Sequence, residues 1–198
     1  MKIGFILECG PEGADVKVCK HLVHKINAEI EFVSLALDVK PKLISGCGKA
    51  AKQLLASGCE KVFIIWDLFP KWRTGKPCRK EDREAIFEAL NDAGVSHTTV
   101  NLVCIEQELE SWLIADGRAI SEFLSTETRK VAIKDTKNPD IAQNPKKILN
   151  QYFNKNKGRD YVDYQHAEKL VKLIPDFSKL RKSVTFRRFY YKLSGEEL

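Results

Sequence analysis

Four short apolar runs, KIGFILEC, IEFVSLAL, KVFIIWD and HTTVNLVCI, alternate with amphipathic stretches over the first part of the chain. That alternation leaves few folds open. In GADVKVCKHLVHKI the apolar positions Val16, Cys19, Val23 and Ile26 recur near helical spacing. PKLISGCGKAAKQLLASG opens on a proline suited to a helix start, carries Leu43, Ala50, Leu54 and Leu55, and closes on Gly58 as a C-terminal cap. CRKEDREAIFEALNDAG turns Ile86, Phe87 and Leu90 inward and closes on Gly94. EQELESWLIADGRAISEFL reads as helical. Strands that are apolar on both faces and separated by helices predict a parallel sheet covered on both sides. The expected fold is an α/β three-layer sandwich with a four-stranded, mainly parallel sheet over residues 1–125.

The remainder, residues 126–198, reads differently. STETRKVAIKDTKNPDIAQNP is polar and proline-containing, a long basic loop or cover segment. NPKKILNQYFNKN, DYQHAEKLVKLI and SVTFRRFYYKL then read as two or three helices of a C-terminal subdomain expected to pack on the sheet, being too short for a large core of its own. No run of about eighteen apolar residues occurs, and the first fifteen residues lack the apolar length of a signal peptide, so a soluble, cytoplasmic protein is expected. The six cysteines (9, 19, 47, 59, 78 and 104) form no CxxC pair and suit small buried hydrophobes better than a zinc site or a disulfide framework.

The net charge of +6 is uneven. Between Arg129 and Arg159 stand nine Lys or Arg against Asp135 and Asp140, a local +7. Such a block is commonly a solvated surface; it is also the footprint of a polyanionic partner. Lys134, Lys137, Lys146 and Lys147 are the candidates for following a nucleic-acid backbone. Arg79, Lys80 and Arg83, after the third strand, are candidates for neutralising phosphates, or else a solvated helix face.

Acids collect at the strand ends. Glu8 ends the first strand and Asp67 the third; Glu106 follows the fourth, with Glu110 one helical turn later. In doubly wound sheets functional groups gather beyond the carboxyl ends of the strands, where strand order reverses. With order 2-1-3-4 the first and third strands are neighbours, about 4.8 Å apart. Crowded carboxylates repel and raise each other's pKa unless a cation is present. Mg²⁺ or Mn²⁺, held by one or two carboxylates plus substrate phosphates, accounts for the cluster, with Glu8 as a ligand or as general base. The ordinary alternative is that Glu106, Glu108 and Glu110 complement a helix dipole. Asp15 belongs to helix-start chemistry, Trp66, Trp72 and Trp112 to packing. His21, His24, His97 and His166 show no metal-ligand spacing.

FILECGPEGAD, VFIIWDLFP, CIEQELESWLIADGRAI and KLRKSVTFRRF together resemble the Toprim-like domain-of-unknown-function family 4276, over most of the chain. The E-x-x-x-W-L-x-A-D element and the distal S-x-[ST]-F-x-R-F-like element are its more specific parts. Toprim folds carry a glutamate after the first strand and Asp-x-Asp after the third. The resemblance therefore implies Mg²⁺-dependent phosphodiester chemistry, as in a nuclease, with Glu8 matching the glutamate and Asp67 the first aspartate. Phe69 stands where the second aspartate belongs. Either Glu106, Glu110 or Asp82 supplies the missing ligand, or metal binding is weakened and the protein is a non-catalytic binding relative. The resemblance also implies a separate ATPase partner in a defence system; the sequence has no GxxxxGK[ST] of its own. A receiver-like signalling module also places an aspartate after its third strand. It wants paired acids after the first strand and a lysine after a fifth, whereas Glu8 is followed by Cys9 and Gly10 and no fifth strand is evident.

Overall fold

A computed structural model of the chain describes residues 1–70 and 76–198. Trp72 lies outside the described residues. The structure divides into two compact units, Met1–Cys104 and Ile105–Leu198.

The first unit is built on the parallel sheet expected from the apolar runs: β1 (Lys2–Leu7), β2 (Glu31–Ala36), β3 (Lys61–Asp67) and β4 (Val100–Ile105), in the order β2-β1-β3-β4. Register pairs Leu7 with Ala36 on one side and with Ile65 on the other. Alternate residues serve opposite faces. Ile6, Val62, Ile64 and Trp66 pack with residues of α2 (Lys40–Ala56) and α3 (Arg79–Asp92), among them Leu43, Leu54, Ile86 and Leu90. On the other face Phe5 stacks on Phe32 at 4.4 Å and on Phe63 at 5.3 Å. The helix α1 (Ala14–Ile26) brings His24 edge-on to Phe32 at 6.5 Å. Burial on both faces explains why the strands read as continuous apolar runs.

Gly48 sets how closely α2 approaches α3. A Cβ there would lie 1.9 Å from the Ala89 carbonyl oxygen, so only glycine permits the contact. Gly58 and Gly94 close α2 and α3 with φ of 90° and 69°, as their positions after the apolar patterns predict. None of the six cysteines is bridged. Burial pushes the Cys9 and Cys104 thiols up to about 12, which keeps them protonated.

The second unit is helical: α4 (Glu110–Ile114), α5 (Gly117–Leu124), α6 (Pro145–Lys157), α7 (Asp163–Lys172) and α8 (Val184–Ser194). The helical stretch EQELESWLIADGRAISEFL holds two helices. Asp116 breaks it by leaving helical geometry and accepting the amides of Arg118 and Ala119, at 2.9 and 3.0 Å, as the cap of α5. The long segment between α5 and α6 is irregular apart from a turn at Pro139–Ile141. Side chains secure it: Ser121 Oγ accepts the Ile133 amide at 2.7 Å, and Asp135 accepts the Gly117 amide at 3.1 Å. No helix among the described residues is long and apolar enough to cross a membrane.

The two elements that carry the family resemblance in this unit meet in its core. Trp112 Nε1 donates to Thr185 Oγ1 at 3.0 Å, and the indole packs on Phe186 and Phe189 at 5.3 and 5.4 Å. Ser183 caps α8 by accepting the Phe186 amide, while its own hydroxyl donates to Asp140 at 2.6 Å. Thr185 Oγ1 also donates to Asp140, at 3.1 Å. These motif residues are architectural: they close the unit around an aromatic core.

Candidate functional site at the ends of β1 and β3

The reversal of strand order falls between β1 and β3, so the chain leaves both strands at the same end of the sheet. Glu8 follows β1 immediately and Asp67 ends β3. The structure brings them together through the main chain: the Asp67 amide donates to Glu8 Oε2 at 3.3 Å. A second backbone amide, that of Lys40, also donates to the Glu8 carboxylate.

Lys40 arrives there because the segment after β2 keeps pairing with the segment after β1. The Leu37 amide donates to the Leu7 carbonyl at 2.9 Å and the Asp38 amide to the Cys9 carbonyl at 2.8 Å. This delivers the first turn of α2 beside Glu8. The Lys40 side chain, 2% exposed, turns inward rather than to solvent. Its Nζ donates to the Leu68 and Pro70 carbonyls, each at 2.7 Å, on either side of the cis Phe69–Pro70 peptide. It also faces Asp82 Oδ2 of α3 at 3.9 Å. Asp82, equally buried, accepts Trp66 Nε1 at 3.0 Å.

Glu8 titrates abnormally here. Burial, opposed by the Lys40 charge and the two amides, pushes its carboxyl up from 4.5 to about 7. Repulsion between crowded carboxylates, the cause expected from the sequence, is secondary: burial is the largest cause, and Asp82 is the one carboxylate among the leading contributors. The Asp67 charge bears on Cys9 and Cys19, on the α1 side of the sheet. The site is thus a carboxylate held near neutrality by burial, beside a buried ammonium, at the switch point of a parallel sheet.

Lys40 is the residue that the sequence reading missed. One signal was present. A lysine in the first helical turn opposes the helix dipole, so its charge needs a partner elsewhere. Asp82 entered the reading as a substitute ligand; the structure commits it to Trp66 and Lys40.

Of the basic candidates after β3, Arg79 is half-buried and donates to the Cys104 thiol. Lys80 pairs with Glu84 one turn on at 3.8 Å, and Arg83 lies over the Phe87 ring at 5.7 Å. Both of these occupy a solvated helix face.

The acids beyond β4 belong to the second unit. Glu106 precedes α4 instead of starting it, so the same-turn spacing assumed for Glu106 and Glu110 does not arise. Glu110 is 6% exposed, and burial, opposed mainly by Lys146, pushes its carboxyl up to about 7. Lys146 bonds Asp163 through its ammonium and Glu108 Oε2 through its amide, the latter at 3.3 Å. Glu108 and Lys146 border an open groove of about 590 Å³ that Lys147, Asn150 and Asp160 also line. Lys134 and Lys137 are exposed on the irregular segment.

Mg²⁺ is usually held by one or two carboxylates, with water and substrate oxygens completing the shell; Glu8 and Asp67 stand at adjacent strand ends and meet through the Asp67 main-chain amide. Among the described residues no group of three or more His, Cys, Asp or Glu side chains is arranged to hold a metal ion. Compared with protein-family models, curated proteins and solved structures, the chain matches none.

Proposed function

We propose that the chain is a divalent-metal-dependent phosphodiesterase of Toprim-like character, acting on nucleic acid, with Glu8 and Asp67 at its centre. The single observation that supports this most is Glu8. It is a carboxylate raised to about 7, fixed by two backbone amides, at the strand-order reversal of a parallel sheet. A general base works best when its pKa lies near the working pH. Glu8 takes the proton of the water that attacks phosphorus as the bond to the leaving oxygen breaks. Asp67 is the residue that would hold Mg²⁺ or Mn²⁺, which would supply charge stabilisation to the phosphoryl oxygens, with Glu8 left as the base. Exposed Lys134, Lys137 and Lys147 give sequence-independent affinity for the backbone. The resemblance adds a separate ATPase partner to the same reading.

The test is cleavage of single- and double-stranded DNA and RNA with and without Mn²⁺, together with melting curves. Wild type is expected to cleave and to melt higher with Mn²⁺, since a ligand that binds the folded state stabilises it. Asp67→Asn is expected to lose both effects, and Glu8→Gln to lose at least the cleavage. An intact Mn²⁺-induced shift in Asp67→Asn removes Asp67 from the metal site.

A second reading, a non-catalytic binding protein, is favoured by Lys40. Its buried ammonium already opposes the charge of Glu8, so the site carries a built-in cation. Absence of any Mn²⁺-induced shift in the wild type, with nucleic-acid binding intact, selects this reading.

A further inference from the structure

Phe69 differs from the other large aromatics near the site. It is 39% exposed, whereas Phe5, Phe63 and Trp66 are buried. A single exposed apolar side chain is unremarkable by itself. What sets Phe69 apart is how its backbone is held. The carbonyls of the residues on both sides, Leu68 and Pro70, accept from the same Lys40 Nζ. An ammonium buried at 2% exposure is costly unless its hydrogen bonds are made, so the clamp keeps both carbonyls in place. The Phe69 main chain is therefore pinned from both sides while the residue stays partly exposed. The amide of the same Lys40 holds the Glu8 carboxylate, so ring and carboxylate share one anchor. Val39, next to Lys40 and 45% exposed, adds apolar surface at this end of the sheet.

A partly exposed aromatic residue on a held main chain, two residues from Asp67, makes a flat apolar side chain available near groups suited to phosphate chemistry. The substrate part that matches a flat apolar face is a nucleobase, and a base offers its face only when unpaired or splayed from a helix. We infer that Phe69 is a stacking platform for an unpaired nucleobase, held in register with Glu8 and Asp67 by Lys40, and that the protein takes single-stranded or locally unpaired nucleic acid. This inference rests on the function proposed above and specifies its substrate class.

The test uses short single-stranded oligonucleotides, DNA and RNA, each carrying one 2-aminopurine, and matched duplexes, in EDTA so that binding is read without cleavage. Wild type is expected to quench the 2-aminopurine of a single strand on binding. Phe69→Ala is expected to lose the quench and to bind the single strand roughly tenfold or more weakly, with duplex binding unchanged. Phe69→Trp is expected to retain both properties, and Phe69→Leu to lose the quench. These substitutions are at an exposed position, and unchanged melting verifies that each variant is folded. An unaltered quench and affinity in Phe69→Ala overturns the inference. So does an equal loss for single strands and duplexes, or failure of the wild type to bind single strands. Quenching that depends on Phe69 in a protein that cleaves nothing with any metal refutes the phosphodiesterase and leaves the stacking platform standing.

Discussion

Each unit contains a glutamate with a raised carboxyl beside a lysine, half-buried Glu8 in one and buried Glu110 in the other, and the two pairs are handled in opposite ways. In the first unit Glu8 is pushed up to about 7 and its lysine, Lys40, is buried and donates to main-chain carbonyls. In the second unit Glu110 is likewise pushed up to about 7, but its lysine, Lys146, has a 49% exposed side chain and is bonded to the Asp163 carboxylate. Lys40 thus leaves its charge to act on Glu8 and Asp82, whereas Lys146 divides its charge among Asp163, Glu110 and Glu108. The difference teaches that a raised carboxyl is a property of burial, while the neighbouring cation is anchored separately, on main-chain carbonyls and Asp82 in one unit and on the Asp163 carboxylate in the other.

The largest expected effect tests the two lysines. Lys40→Met removes a buried cation from Asp82 and from two carbonyls, and is expected to cost about 3–5 kcal/mol. Lys146→Met removes a half-exposed pair and is expected to cost less than about 1 kcal/mol, less still in high salt. Urea titrations followed by circular dichroism measure both, and equal costs would erase the distinction drawn between the units.

The next effect tests what the pairs share. Glu8 and Glu110 each titrate near 4.5 when unfolded and near 7 when folded, so the folded state holds the proton more tightly. Their contribution to stability is full below about pH 4.5 and is lost as pH rises through 7. Glu8→Gln and Glu110→Gln are each expected to flatten the fall in stability between those pH values, by on the order of 2 kcal/mol. Melting temperatures across that range check it; a flattened profile in only one variant would show that burial acts on one site alone.

The smallest effect concerns the two buried tryptophans. Trp66 donates to a carboxylate, Asp82, and Trp112 to a hydroxyl, Thr185, both at 3.0 Å. Hydrogen bonds to charged groups are worth about 1.5–3 kcal/mol and neutral ones about 0.5–1.5. Trp66→Phe is therefore expected to destabilise more than Trp112→Phe in the same urea titration. The reverse order would place the more demanding polar network in the helical unit.

Much of this was legible in the residues alone. The parallel sheet, the neighbouring places of Glu8 and Asp67, and the three C-terminal helices follow from local patterns of apolar residues, and the structure has all three. Patterns fail where one side chain outweighs them. ESWLIADGRAI reads as helical, and where it is interrupted the Asp116 carboxylate gains more by capping two amides than by continuing the turn.

The sequence by itself determined the sheet, because strands covered on both faces must be apolar along their whole length and are joined by helices of recognisable period. It also determined which acids leave that sheet at one end. The tertiary structure alone decided their chemistry. Burial, the inward turn of Lys40, and the acceptance of its protons by carbonyls nearly thirty residues away arise from contacts distant along the chain. The energy of a charge depends on its surroundings, and residues remote in sequence supply those surroundings.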